Sequence, residues 1–136
     1  MKIQVLLENT SLRQGLLAEH GLSLYIETGE HKILFDMGQT EAFAYNAEQM
    51  GIDLSQVDIA ILSHGHYDHG GGLKYFMEIN QKANIYLNRY AFSPFYNGAE
   101  KYIDGVDLHD GISLVIINSQ SGNEIIDWFS WMTFWK

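Results

Sequence analysis

At 136 residues the chain has the size of one domain, and a composition of 46% hydrophobic and 18% charged residues is that of a sequence able to bury a core. Its formal charge of −9 argues against a broad grip on nucleic-acid phosphates, which needs clustered Lys and Arg. There is no cysteine, which excludes disulfides, thiolate zinc sites, iron–sulfur clusters and cysteine nucleophiles and leaves His, Asp and Glu as donors for any metal.

The first apolar run, Ile3 to Leu7, stops at Glu8 and is too short for a signal peptide, and no later run reaches membrane-spanning length. The expectation is a soluble, cytoplasmic protein with no membrane partner. Lys2 to Leu7 reads as a first strand. Leu22 to Glu27 alternates with period two, Thr28 to His31 supplies a turn, and Lys32 to Asp36 completes a hairpin. Thr40 is the expected N-cap of a helix running to Met50, with Phe43, Ala47 and Met50 on one face and Gly51 as its stop. Val57 to Leu62 is a short apolar run suited to a strand buried on both faces. A helix over Leu73 to Gln81 and a strand over Asn84 to Leu87 follow. This order predicts an α/β layer with helices packed on the sheet.

Further on, Gly105 to Gly111 is turn-like and Ile112 to Asn118 is a candidate strand. All three tryptophans fall between Trp128 and Trp135. As a helix, Ile125, Trp128, Phe129 and Met132 would share one face, with Ile126, Trp131 and Phe134 widening it. Three readings stay open for this tail: a core-docking helix, an oligomer contact, or a non-native end.

The densest chemistry lies in His64-Gly65-His66-Tyr67-Asp68-His69, between the apolar strand ending at Ser63 and the glycines Gly70 to Gly72. In an extended stretch His64 and His66 point the same way. Asp68 and His69 lie where the chain turns towards a helix and can face a second, adjacent position. Two ions about 3.5–4 Å apart can share and acidify a water. Strand-to-helix junctions are also where α/β proteins place ligands. The helix expected from Gly70 onward would add free N–H groups and a partial positive charge favouring an anionic substrate.

The spacing His-x-His-x-Asp-His after an apolar strand resembles the signature of the metallo-β-lactamase-fold hydrolases. Ile33 to Gly38 resembles the strand and Asp-x-Gly turn that precede it in that superfamily. His20 to Glu27 and Ser63 to Gly71 resemble a narrower group, related to dihydropterin ribofuranosyl-aminobenzene-phosphate synthase. The likeness covers Met1 to about Tyr102, with 103–136 atypical. It implies half of an αββα sandwich: a mixed sheet with helices on one face, forming a single but incomplete domain. It implies that His64 and His66 bind one ion and that Asp68 and His69 bind a second. Zinc is expected, with iron and manganese open, because a His/Asp set suits all three. Asp68 would also orient or deprotonate the attacking water, acting on a small ester or phosphoester. Asp36 would support the site, through a hydrogen bond to a ligand histidine or as a simple turn residue. His20 is either a pocket-lining group or a surface histidine, and His31 is expected to be solvated. The pattern at His66 separates the chain from the flavodiiron branch, which carries Glu there.

Family members supply further ligands downstream. Here the only downstream histidine is His109, in an acidic, turn-like setting. Each half-site therefore has two donors, where zinc sites normally use three or more. The readings this leaves are a metal-dependent hydrolase, a shortened and catalytically impaired metal-binding fragment, and a homo-oligomer that completes itself with the Trp-rich C-terminus covering exposed surface. Metal-dependent nucleic-acid processing uses the same motif and is disfavoured by the acidic balance.

Overall fold

The computed structural model describes residues 1–91 and, beyond them, the backbone of four strands. In chain order the elements are β1 (Lys2–Leu7), β2 (Ser23–Glu27), β3 (Lys32–Phe35), α1 (Ala42–Gln49), a 3-10 turn (Leu54–Gln56) and β4 (Ile59–Ile61). Then come α2 (Tyr67–Gly70), α3 (Leu73–Ile79), β5 (Asn84–Asn88), β6 (Phe95–Tyr96), β7 (Tyr102–Ile103), β8 (Ser113–Asn118) and β9 (Gly122–Asp127). Seven strands form one sheet in the order β1-β2-β3-β4-β5-β8-β9, and β6 and β7 form a separate pair. The sheet is mixed: β1, β2 and β3 are antiparallel neighbours, β3 through β5 to β8 run parallel, and β9 returns antiparallel.

The register assigns the two faces. Tyr25, Leu34, Ala60 and Ile85 lie abreast across four strands, and all are buried. They join Phe43 and Ala47 of α1, Leu73 and Phe76 of α3, and Leu54 and Val57 in one core. Burial of a ring the size of Phe43 or Phe76 contributes roughly 1.5–3 kcal/mol. On the other face Ile26, Ile33 and Ile59 form one row and Leu24, Phe35, Ile61 and Tyr86 another. These residues are only half-buried, and Ile3 and Val5 at the β1 edge are exposed. The helices therefore lie on one face of a mixed sheet, as expected, and a largely apolar opposite face remains among the described residues.

Three boundaries move, each for a local reason. α1 begins at Ala42 with Glu41 in the cap position. Thr40 still accepts the Ala42 N–H on its hydroxyl, but that hydroxyl also donates to Glu19. β4 is shorter than the apolar run, although Leu62 N–H continues the ladder to Tyr86 O and Asp36 N–H bonds Ile61 O. The helix after the glycines starts at Leu73 as expected but ends at Ile79, and a further helical turn, α2, contains Asp68 and His69 themselves.

The helical reading of the tail from Ile125 is corrected. Gly122–Asp127 is a strand in continuous antiparallel register with Ser113–Asn118, from Ser113 opposite Asp127 to Asn118 opposite Gly122. Adjacent β-branched Ile125 and Ile126 suit an extended chain, and pairing to β8 outweighs the weak helical periodicity. The stretch Trp128 to Trp135, His109 and the turn expected over Gly105 to Gly111 lie outside the described residues. No described helix is long and apolar enough to cross a membrane.

Candidate functional site

The parallel pairing of β3 with β4 brings two chain segments together at the carboxyl ends of both strands. Asp36 directly follows β3, and Ser63 to His69 follow β4. Asp36 is fully buried and has a left-handed backbone, with φ 54°. Aspartate tolerates that conformation better than most residues. Gly38, two residues on, has φ 65°. This pair of bends turns the chain back beneath the histidine motif, where Met37 N–H donates to His69 O and Gly72 N–H to Gly38 O.

Asp36 is the hub of the site. Its Oδ1 accepts the Ser63 N–H at 2.8 Å, and its Oδ2 accepts the Ser63 hydroxyl at 2.7 Å and His69 Nδ1–H at 2.8 Å. The Ser63 Oγ lies 2.9 Å from His64 Nδ1. The directions follow from the inventory of donors. An ionised carboxylate only accepts, so Ser63 spends its single proton on Asp36 and must accept from His64 Nδ1–H. One buried carboxylate thus sets the tautomer of two histidines, His69 directly and His64 through Ser63. In both neutral rings the lone pair is left on Nε2. Such outer hydrogen bonds are what orient metal-binding histidines.

The rings are gathered closely. The His64 and His66 centroids are 4.6 Å apart, and those of His64 and His69 4.2 Å. His69 Nε2 lies 3.5 Å from Asp68 Oδ2. Burial pushes the His64 imidazole below its ordinary value, and the nearby His69 and His66 add to the effect by disfavouring a third positive charge. Neutral imidazole is the form that binds a metal. Donor types, tautomers and protonation preference therefore fit a divalent ion. Among the described residues, however, no group of three or more His, Asp or Glu side chains is placed so that it could hold a metal ion.

His20, from the loop between β1 and β2, reaches the same end: its Nε2 is 3.4 Å from Asp68 Oδ2. His31 is elsewhere, at the opposite end of β3, where its Nδ1 lies 2.9 Å from Asp58 Oδ2. The anion site expected at the glycines is corrected. The His69 and Gly70 N–H groups donate to His66 O, that of Gly71 to Tyr67 O and that of Gly72 to Gly38 O, so these donors are spent inside the fold. Sequence reasoning passed over Ser63 as a relay; its position directly before the first histidine was the available signal. It also passed over Asn9, Glu19 and Gln39, whose contacts to the site loop depend on distant pairing.

The profile of the metallo-beta-lactamase superfamily matches residues 17–127. The chain belongs to that superfamily, whose members generally bind divalent metals such as zinc. Among individual relatives, it is 38% identical over 108 residues to the uncharacterized protein MJ0448 of Methanocaldococcus jannaschii, covering 77% of this chain and 40% of that one. It is also 38% identical over 77 residues to the 7,8-dihydropterin-6-methyl-4-(beta-D-ribofuranosyl)-aminobenzene-5'-phosphate synthase of the same organism, covering 52% and 26%. Among solved structures, Tm1679, a metal-dependent hydrolase of the beta-lactamase superfamily, aligns with TM-score 0.63 and 36% identity over 77% of this chain and 36% of that one. The metallo-beta-lactamase SMB-1 aligns with TM-score 0.53 at 20% identity over 74% of this chain and 41% of that one, a likeness of fold. The chain thus spans 40% or less of the length of the curated relatives.

Proposed function

We propose that this chain carries the ligand-bearing half of a metal-dependent hydrolase, with His64 and His66 holding one divalent ion and Asp68 and His69 a second. The observation that carries this reading is the relay from Asp36 to His69 and, through Ser63, to His64, which leaves both Nε2 atoms as lone-pair donors. A bound divalent ion supplies a Lewis acid that polarises the scissile group and acidifies water. The protein's part is positioning. Asp36 and Ser63 hold His64 and His69 in one tautomer and orientation, and Asp68 presents a carboxylate able to orient the attacking water. The substrate class we assign is a small ester or phosphoester. A phosphorylated substrate is supported by the printed product of the synthase relative, which is itself a 5'-phosphate. Zinc is the expected ion, with manganese and iron as the competing choices for the same donors.

A second reading, a metal-binding module with impaired catalysis or one completed by another copy of the chain, is favoured by one observation. The described donors come in pairs and not in closed sets of three. Elemental analysis of protein purified without chelators tests both readings, together with hydrolysis of chromogenic phosphodiesters. Two ions per chain with turnover support the hydrolase, and ions without turnover support the module. No ion, even after addition of zinc or manganese, sinks both.

A further inference from the structure

A cleft of about 600 Å³ lies between α1 and α3 and shares no residue with the histidine site. The spacing of α1 explains one wall. Glu41, Tyr45 and Glu48 recur at i, i+4 and i+7, so they form one stripe about 10 Å long, two turns of helix. Phe43 and Ala47 of the same helix are buried in the core, which leaves that stripe facing outward. α3 supplies the other wall with Tyr75 and Ile79, again one turn apart. The walls are firm but uncovered. Tyr75 meets the buried Phe43 edge-on, with centroids 6.5 Å apart. Tyr45, Tyr75 and Ile79 nevertheless remain 42%, 39% and 38% exposed.

The charge of the cleft is one-sided. Glu41, Glu48 and Asp53 line it, and among the described residues no Lys, Arg or His does. Every ion pair among the described residues joins a histidine to an aspartate elsewhere, so none of these three carboxylates is neutralised by one. Tyrosine faces attract ammonium and guanidinium groups, and neighbouring carboxylates attract the same groups. The alkyl stems of Lys and Arg pack on apolar walls while their charged ends reach outward. A divalent ion gains nothing from Tyr45, Tyr75 or Ile79. An apolar groove between two helices is a form that receives the apolar face of a third, and the acidic rim selects a basic one.

We propose that the cleft between α1 and α3 is a docking site for a lysine-rich amphipathic helix of a partner protein. The apolar face of that helix lies on Tyr75 and Ile79, and its ammonium groups meet Tyr45, Glu41 and Glu48. The proposal is independent of the metal-binding reading.

The probe is a synthetic amphipathic peptide of about 14 residues, four helical turns, with Leu on one face and Lys on the other. Its control has the same composition in scrambled order. Binding to the full chain is read from the fluorescence anisotropy of the labelled peptides at about 0.15 M salt, where a Debye length of about 8 Å limits attraction by distant charges. The expected dissociation constant is below about 100 μM for the amphipathic peptide, with binding of the scrambled one at least about tenfold weaker. Glu41→Lys combined with Glu48→Lys weakens binding by more than about tenfold. Tyr45→Ala, which leaves the charge unchanged, weakens it about threefold or more. Glu8→Lys combined with Glu30→Lys makes the same change of charge outside the cleft and alters binding by less than about threefold. Thermal melting shows which variants keep the fold, and Tyr45→Ala carries the test if the reversed pair does not. No binding of the amphipathic peptide, equal binding of the scrambled one, an equal loss in the Glu8 and Glu30 pair, or full binding by Tyr45→Ala overturns the proposal. Spermidine binding that depends on Glu41 and Glu48 where the peptide does not bind overturns it in favour of a small polyamine.

Discussion

β3 and β4 carry an aspartate–histidine pair at each end, and the two pairs differ mainly in burial. At the carboxyl end Asp36 accepts from His69 at 2.8 Å and from the Ser63 N–H at 2.8 Å. At the amino end Asp58 accepts from His31 at 2.9 Å and from the Lys32 N–H at 2.9 Å. The chemistry is nearly the same, yet the Asp36 side chain is 1% exposed and that of Asp58 43%. At the buried end the Asp36 carboxylate is closed to water, and losing it takes away the one fixed acceptor shared by Ser63 and His69, although these donors are themselves partly open to solvent. At the open end, water takes over whatever the pair gives up. The buried end is therefore stiff enough to fix histidine tautomers, whereas the open end clips a hairpin to a neighbouring strand.

The largest effect is expected for Asp36→Ala. It leaves the Ser63 N–H, the Ser63 hydroxyl and His69 Nδ1–H without their acceptor inside the fold. The expected loss is about 3–5 kcal/mol of unfolding free energy, measured by urea denaturation. Metal affinity should fall roughly 10–100-fold as His64 and His69 lose their orientation. A loss below about 1 kcal/mol, the size of a surface pair, would show that the two ends are equivalent after all. Next comes Gly21→Ala. A Cβ there meets the Asp68 carbonyl in a backbone conformation foreign to L side chains, for an expected cost of about 1–3 kcal/mol. Because the clash is with the backbone of α2, metal affinity should fall with stability. Intact affinity in a destabilised variant would detach this loop from the site.

The fold was largely readable in the sequence because period-two alternation and short apolar runs report on single strands. The site was readable in part, because His64, His66, Asp68 and His69 are neighbours in the chain. What joins them to the rest of the molecule is not local. Asp36 lies 27 residues from Ser63 and 33 from His69, and His20 meets Asp68 across a still longer stretch of chain. Only the parallel register of β3 with β4 converts an aspartate in a strand-ending turn into the hub of two histidines. The same limit concealed Asp58: nothing near His31 in the sequence marks a partner 27 residues away. The tail misled for the opposite reason. The local period around Ile125 was real but weak, and a strand partner at Ser113–Asn118 decided the conformation.

The open end should give the smallest effects, with a distinctive dependence on conditions. Asp58→Ala is expected to cost under about 1 kcal/mol after solvent screening. That cost should shrink further as salt shortens the Debye length from about 10 Å at 0.1 M to 3 Å at 1 M. The pH dependence follows from the two shifts. The hydrogen bond that His31 donates to Asp58 raises the imidazole above its ordinary 6.5, against an opposing effect of burial. For Asp58 burial pushes upward, but the bonds from His31 and the Lys32 N–H outweigh it and hold the carboxyl below its ordinary 3.8. A raised histidine stabilises fully below its unfolded value and loses that contribution as pH rises through its folded value. A depressed carboxylate stabilises above its unfolded value and loses it as pH falls through its folded one. The pair is thus complete between pH 3.8 and 6.5. The melting-temperature difference between wild type and His31→Gln should be largest in that window and fade above it. A difference that instead grew towards alkaline pH would mean that His31 is held in its neutral form and that the ion pair is not what clips the hairpin to β4.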